Sequence, residues 1–242
     1  NIFELIMGNK TSKIVERSCN VDVSFVALAD THGSHRSFDE QLMNEKADFI
    51  FFAGDLMTAG DDIGEITDFL EWFNSLKQFD YKVLVAGNHD VYFDTNREGI
   101  LKIIKNYPNI TYLKDQVQIF NVKGQPVRVY GSPWASWVGT WAFMVKPQEA
   151  SIIWDKIDPK TDILITHGPS LGFLDTVWNG NHWGCPVLQD KIHQIAPIVH
   201  ICGHVHECGG KQQQNGQTLT INCSVGSQNK VTKQNIILKE KD

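Results

Sequence analysis

The chain has 242 residues, 42% of them apolar and 21% charged, with a net charge of −6. That is the make-up of an ordinary soluble globular protein, long enough to bury a sizeable core. Lys and Arg are scattered, so no basic face gathers to neutralise the phosphates of duplex nucleic acid, and such a partner is not expected. A phosphate-bearing ligand would then need another source of positive charge, for which bound metal cations are the obvious candidate.

No apolar run approaches the roughly 20 residues needed to cross a bilayer, so no membrane partner is expected. The stretch Ile2 to Met7 is too short for a signal-peptide core and has no basic region ahead of it. The chain opens on Asn, leaving room for an initiator Met or a longer leader before it. Five cysteines (Cys19, Cys185, Cys202, Cys208 and Cys223) show no framework or zinc spacing, which predicts buried, reduced thiols and a cytoplasmic location.

Taken in chain order, five compact apolar runs stand out. Val23–Ala29 stops at Asp30, Phe49–Ala53 at Gly54-Asp55, and Val83–Ala86 at Gly87-Asn88-His89-Asp90. Ile163–Thr166 stops at His167, and Ile198–Cys202 at Gly203-His204. Short continuous apolar runs suit strands buried on both faces. Between them lie helical spacings over about Ile63–Leu76, Arg97–Lys105, Gln148–Ile157 and Val187–Ile195. Asp61 or Asp62 is placed to cap the first of these, and Pro186 stands at the start of the last. Val117–Phe120, Val127–Tyr130 and Leu219–Asn222 read as further strands without intervening helices. The expected fold is therefore α/β: a four-layer sandwich of two mixed β-sheets flanked by helices. With no repeat, low-complexity segment or linker, residues 1–242 are expected to form a single domain.

Each of the five buried strands ends in Asp, Asn or His, and ligand sites in open α/β sheets form at the carboxyl ends of strands. Convergence there would gather Asp30, His32, Asp55, Asn88, His89, His167, His204 and His206. Asp30 and His32 are two apart, as are His204 and His206, so an extended backbone turns each pair to one side. Oxygen and nitrogen donors without thiolate suit divalent Mn, Fe, Zn or Co. Seven ligands are too many for one ion with an open position; with one carboxylate shared they suffice for two. Two ions about 3.5–4 Å apart can clamp a phosphoryl group and activate water for in-line displacement.

Asp30-Thr31-His32, Gly54-Asp55, Gly87-Asn88-His89-Asp90, His167 and Gly203-His204-Val205-His206 resemble the signature of the calcineurin-like metallophosphoesterases, in the same order along the chain. Gly131-Ser-Pro-Trp134, Thr166-His-Gly-Pro169, Leu171-Gly-Phe-Leu-Asp175, Gly184-Cys185 and Glu207 are similar to the metallophosphoesterase-domain-containing branch. The resemblance implies that Asp30, His32 and His206 hold one ion, that Asn88, His167 and His204 hold a second, and that Asp55 bridges them. It also implies that Asn88 and His89 face the substrate, that His89 steadies the developing charge or protonates the leaving oxygen, and that Asp90 orients the His89 ring. Manganese is the favoured metal. Protein phosphatases of this superfamily carry an acidic residue and an Arg shortly after Gly-Asp, and a Glu after Asn-His. Here Asp55 is followed by Leu-Met-Thr-Ala-Gly and Asp90 stands in place of the Glu, which favours a small phosphodiester or nucleotide over a phosphoprotein. Some members of the branch lack the first His of the last motif; His204 is present here.

Trp134, Trp137 and Trp141 are spaced like one helical face. An amphipathic turn packed on the sandwich is expected for Trp137 and Trp141, with Trp134 open as a wall that stacks a nucleobase. His35 and His182 read as solvated loop residues, and His193 and His200 carry no assigned role. Asp61, Asp62 and Glu65 read as a capping cluster and not a third metal site. The leading expectation is a dinuclear phosphodiesterase acting on small diesters such as cyclic nucleotides. The alternatives are a nucleotide phosphomonoesterase and a low-activity nucleotide-binding or scaffold protein; a DNA nuclease is disfavoured by the missing basic groove.

Overall fold

The structure, a computed structural model, describes residues 20–227 and 229–238. The stretch Ile2 to Met7 and Cys19 lie outside them. In the first half of the chain β1 (Val21–Leu28), α1 (Asp39–Met43), β2 (Ala47–Ala53), α2 (Ile63–Ser75) and β3 (Phe79–Val85) follow one another. They lead to α3 (Val91–Thr95), α4 (Arg97–Ile104) and β4 (Ile110–Tyr112). The chain continues through β5 (Gln116–Val122), β6 (Gln125–Ser132), β7 (Ala135–Ser136), β8 (Met144–Val145) and α5 (Ala150–Trp154). It ends with β9 (Ile163–Thr166), α6 (Pro186–Ile195), β10 (Val199–Cys202), β11 (Gln212–Asn215), β12 (Thr218–Asn222) and β13 (Thr232–Leu238).

Two mixed sheets form, in the orders β13-β1-β2-β3-β4 and β11-β12-β10-β9-β6-β5. Within the first, β1 to β4 are parallel and β13 is antiparallel. Within the second, β12, β10, β9 and β6 are parallel, with β11 and β5 antiparallel at the edges. Alternate side chains of each strand serve different layers. Phe25, Phe49, Phe51, Val83 and Val85 of the first sheet face Val127, Val129, Ile163, Ile165, Val199 and Ile201 of the second. Val26, Leu28, Ile50, Phe52 and Leu84 turn outward against Ile66, Phe69, Leu70 and Phe73 of α2 and Ile100 of α4. On the far side Tyr130 and Leu164 pack against Trp154 of α5 and Leu188 and Ile192 of α6. Helix, sheet, sheet, helix is the expected four-layer sandwich. Burial on both faces is why β1, β2, β3, β9 and β10 are largely apolar over their buried stretches.

The helix from Ile63 starts on Asp62, whose Oδ1 accepts the Gly64 amide at 2.7 Å. The helix expected over 148–157 is shorter, Ala150–Trp154. The strands expected at Val117, Val127 and Leu219 lie in the second sheet, which also takes β9 and β10. Cys185, Cys202, Cys208 and Cys223 are buried and unbridged. Among the described residues no helix is long and apolar enough to cross a membrane.

The two sheets are stitched together at one rim. After β1, the Ala29 amide donates to Cys223 O at 3.1 Å and Ala29 O accepts from Val225 N at 3.0 Å. This brings the carboxyl ends of β1, β2 and β3 beside those of β9 and β10. Phe51, fully buried between the sheets and stacked on Phe49 at 5.0 Å, tests the core. Phe51→Ala is expected to cost about 3–5 kcal/mol, read as a lower urea midpoint with an unchanged m value.

Candidate metal centre

The loops leaving the five strand ends bend sharply. Asp30, His32, Asp55 and His204 all have positive φ, at 59°, 43°, 59° and 66°. Non-glycine residues rarely adopt this left-handed conformation, and such strain concentrates at functional sites. Two glycines make room for it. A Cβ at Gly54, where φ is +98°, would run into the His167 ring, and one at Gly87 would run into the Asp55 carboxylate.

The side chains turned inward by these loops sit within ligating reach of one another. Asp30 Oδ1 lies 3.5 Å from His206 Nε2, which is 3.4 Å from His32 Nε2. Asp55 Oδ2 lies 3.4 Å from His167 Nε2 on one side and 4.0 Å from His32 Nε2 on the other. His167 Nε2 is 2.8 Å from Asn88 Oδ1. Among the described residues, Asp30, His32 and His206 form one group with metal-ligand spacing, and Asp55, His167 and His204 form another. Asp55 also groups with His32 and His89. All seven expected ligands are therefore brought to one place, with Asp55 between the two sets.

The imidazoles are oriented by main-chain carbonyls. His32 Nδ1 lies 3.1 Å from Met57 O, His167 Nδ1 2.9 Å from Ala53 O, and His89 Nδ1 2.7 Å from Thr58 O. With Nδ1–H donating to these carbonyls, each ring turns its Nε2 to the centre. The Asp30 carboxylate accepts the His204 amide at 3.1 and 3.0 Å, and Asp55 Oδ1 accepts the His89 amide at 2.8 Å.

Asp90 departs from its expected role. Its fully buried carboxylate accepts the amides of Asp55 (3.0 Å), Met57 (3.0 Å) and Gly87 (2.7 Å). It points beneath the two loops and away from the His89 ring, which the Thr58 carbonyl orients instead. Thr58 is in turn fixed by Glu65, whose Oε1 accepts the Thr58 amide at 2.7 Å and hydroxyl at 2.8 Å. Glu65 is thus a brace for the loop as well as part of the acidic helix start.

Burial and charge set the protonation pattern. Burial disfavours a charged Asp55, yet His167 beside it holds the carboxyl well below the usual carboxylate range. Burial likewise opposes protonation of His167, but Asp55 outweighs it and raises the ring to about 9. Burial, aided by the neighbouring His167, lowers His204 to about 4. The Asp30 contact raises His206. Burial and then the Asp55 charge push Asp90 up to about 8, against the pull of its amide donors. His204 Nε2 is buried with no hydrogen-bond partner. A buried, partnerless nitrogen of a neutral ring inside a cage of carboxylate, amide and imidazole donors fits a divalent cation.

The centre opens into a cleft of about 330 Å³ lined by Asp55, Asn88, His89, Val138, Trp141, Trp183, His204, His206 and Glu207. None of these is Lys or Arg. Trp141 lies almost flat on His89, with centroids 4.4 Å apart and planes at 23°. The expectation that Trp141 is packing alone is therefore overturned. The segment is no helix: β7 and β8 pair, and the loop between them carries Trp141 to the centre. Trp134, left open as a stacking wall, is structural: its Nε1 donates to Asp115 at 3.1 Å and its ring abuts Phe143. Trp137 is exposed, with Lys146 Nζ 5.4 Å over its ring. His35 is not solvated but buried, against Phe69 and Trp72 and 3.1 Å from Asp68. His182 is half-exposed, as a loop residue, with Nδ1 2.8 Å from Asp175. His200 is buried 2.8 Å from Thr166 Oγ1, and His193 is tied to Gln189 and Asn215. Sequence reasoning missed Thr58 and Trp183; the neighbouring Gly184-Cys185 pair was the only signal near the latter.

A two-sheet sandwich with a dinuclear donor set at its strand ends defines a metallophosphoesterase. Residues 23–208 match the calcineurin-like phosphoesterase profile, and the chain belongs to that family. It is 33% identical over 222 residues to human Metallophosphoesterase domain-containing protein 1, covering 83% of this chain and 65% of that protein. The mouse protein gives the same figures, so the chain spans 65% of the length of these two relatives. A UPF0046 protein of Caenorhabditis elegans is 31% identical over 220 residues, covering 84% of this chain and 75% of its own length. Among solved structures the fold is similar to TT1561 of Thermus thermophilus, at TM-score 0.64 and 14% identity over 89% of this chain and 99% of that one. It is also similar to phosphopantetheinyl hydrolase from Mycobacterium tuberculosis, at TM-score 0.58 and 15% identity over 84% and 89%.

A ligating imidazole must shed its proton, so His167, raised to about 9, makes ion uptake depend on pH. Divalent-ion affinity is expected to climb from pH 7 to about 9, with proton release that shrinks over the same window. Competition titration with a chelating indicator at pH 7, 8 and 9 measures the first, and calorimetry in buffers of different ionisation enthalpy the second.

Proposed function

We propose that this chain is a dinuclear-metal-dependent phosphodiesterase acting on small phosphodiesters, cyclic nucleotides among them. The observation that carries the reading is the position of Asp55, whose one carboxylate stands between the His167 and His32 nitrogens and so reaches one member of each ligand group. Asp30, His32 and His206 would hold one ion, Asn88, His167 and His204 the other, and Asp55 would bridge them. Manganese suits this oxygen and nitrogen set. Bound there, two divalent ions supply Lewis-acid polarisation of the phosphoryl oxygens and activation of the attacking water.

The chain's own residues would do the rest. Asn88 and His89 face the cleft. His89, with Nδ1–H held by Thr58 O and its face covered by Trp141, turns Nε2 toward the substrate, where a protonated ring can deliver a proton to the leaving oxygen. Asp90 acts as a positioning residue through the Asp55 and Gly87 amides. A diester is favoured over a monoester because the cleft has no Lys or Arg to hold a second negative charge. The family and its metal chemistry support hydrolysis of a phosphoester; the diester preference is inferred from the cleft.

Metal-stripped protein resupplied with Mn²⁺ is expected to turn over bis-p-nitrophenyl phosphate in preference to p-nitrophenyl phosphate. A preference for the monoester, or metal-independent turnover, would sink the diesterase reading. Asp55→Ala is expected to lose both ions. His89→Ala should keep two ions per chain by elemental analysis yet lose roughly 10²–10⁴ in kcat; an emptied centre in that variant would mean the roles are wrongly divided.

A further inference from the structure

The outer walls of the cleft differ in chemistry from its floor. Where the floor is Asp, Asn and His, the walls beside it are indoles. Trp141 is 47% exposed although it covers His89. Trp183, half-buried, leans over His204 with centroids 5.5 Å apart and planes at 36°. The two indoles thus flank two imidazoles of the cleft lining, His89 and His204. Neither the β7–β8 loop nor the 170–185 loop supplies a Ser, Thr, Tyr, Lys or Arg to the cleft lining. The organic part of a substrate is therefore met chiefly by flat, polarisable, apolar surface.

Trp183 is held there by a stiff loop. Asp175, 1% exposed, accepts the Gly172 amide at 3.0 Å, the Gly184 amide at 3.2 Å and His182 Nδ1 at 2.8 Å. Its carbonyl accepts the Trp183 amide at 2.9 Å. Glu207, also in the cleft lining, accepts the Trp178 amide at 3.0 Å and ties the same loop to the turn after β10. Trp183 rests part of its ring on Val177, Val205 and Cys208, and the buried carboxylate network keeps the rest in water. The indole is pre-organised for a ligand.

We propose that Trp141 and Trp183 form an aromatic clamp that selects esters carrying a planar ring, a nucleobase or simple aryl group, over aliphatic esters. The clamp rests on the phosphodiesterase reading above and names its substrate class. Stacking suits a planar ring because an indole face pairs with any π-surface without hydrogen-bond readout. The cleft, at about 330 Å³, lies at the small end of ligand sites, which fits one ring and a phosphoryl group and not a polymer.

The test compares ring-bearing and ring-less monoesters, the products of diester cleavage, on Mn²⁺-loaded protein by calorimetry. AMP is set against ribose 5-phosphate for the nucleobase, and p-nitrophenyl phosphate against methyl phosphate for a simple aryl group. At least one ring-bearing member is expected to bind tenfold or more tightly than its ring-less partner, and which pair shows the gain identifies the ring. Trp183→Leu and Trp141→Leu should each cut that ratio by about tenfold, or ~1.4 kcal/mol. Trp183→Phe should restore most of the ratio. Equal affinities within both pairs, or a ratio that survives both Leu substitutions, overturn the clamp alone. Failure of all four compounds to bind the metal-loaded protein likewise overturns the clamp, whereas the phosphodiesterase reading stands or falls on the turnover of bis-p-nitrophenyl phosphate.

Discussion

The buried carboxylate of Asp90 is the interaction on which the centre depends. It receives amides from Asp55 and Met57 in the loop after β2 and from Gly87 in the loop after β3. Those three bonds lock the two loops together where their backbones bend most. Asp55 sits at φ 59°, a conformation that costs an ordinary residue energy unless its surroundings over-determine it. Asp90 supplies that determination from below, and Gly87 leaves space for the Asp55 carboxylate above. The placement of Asp55 then propagates. Its Oδ1 takes the His89 amide and its Oδ2 faces His167. A side chain bonded to three main-chain amides thus sets the position of Asp55, which stands between the two ligand groups.

Charge explains why such a pocket is stable without Lys or Arg. Asp30, Asp55 and Asp90 are all buried within one site, and uncompensated buried carboxylates are costly. Amide donors offset part of this: His204 N for Asp30, His89 N for Asp55, and three for Asp90. The His167 imidazole offsets more, which is why Asp55 lowers and His167 rises together. Divalent cations would complete the compensation, displacing the His167 proton as they enter. An acidic chain can bind a phosphate ester on these terms, because the positive charge arrives with the metal and is concentrated where the phosphoryl group must sit.

The gathering of Asp, Asn and His at the strand ends was legible in the sequence because two physical signals coincide there. Strands buried on both faces give unbroken apolar runs, and the polar residue that ends each run sits at a sheet's carboxyl edge. Val23–Ala29 before Asp30 and Ile163–Thr166 before His167 carry both signals. What the sequence hid lies where local pattern and tertiary contact part company. β11 is Gln-Gln-Gln-Asn, with no strand signature, and exists because the open edge of β12 pairs with it. His35 follows Gly33-Ser34 and looks solvated, yet Phe69 and Trp72 of α2 close over it. The tryptophans at 134, 137 and 141 share a helical spacing that a loop between two short strands does not honour, so the one at the centre could not be picked out. Thr58 acts through its carbonyl, which leaves no trace in residue type.

Ligands and substrate-facing groups are also mounted differently, and this bears on how specificity is set. Asp30, Asp55, His167 and His204 stand within two residues of a sheet strand, so the whole sandwich fixes their spacing. Trp141 and Trp183 stand on loops that return to the sheet edges, one pinned by β7 and β8 and the other by Asp175. His89 belongs to both worlds. Its backbone is fixed by Asp55, while its ring angle is taken from Thr58 and hence from Glu65 on α2. Sites on rigid elements hold geometry closely, and loops tolerate change. Substitutions in the 137–143 and 170–185 loops can therefore alter which ester group is accepted while leaving the ion cage intact. A change at Glu65, which stands outside the candidate ligand set, would instead act on the angle of the His89 ring through Thr58.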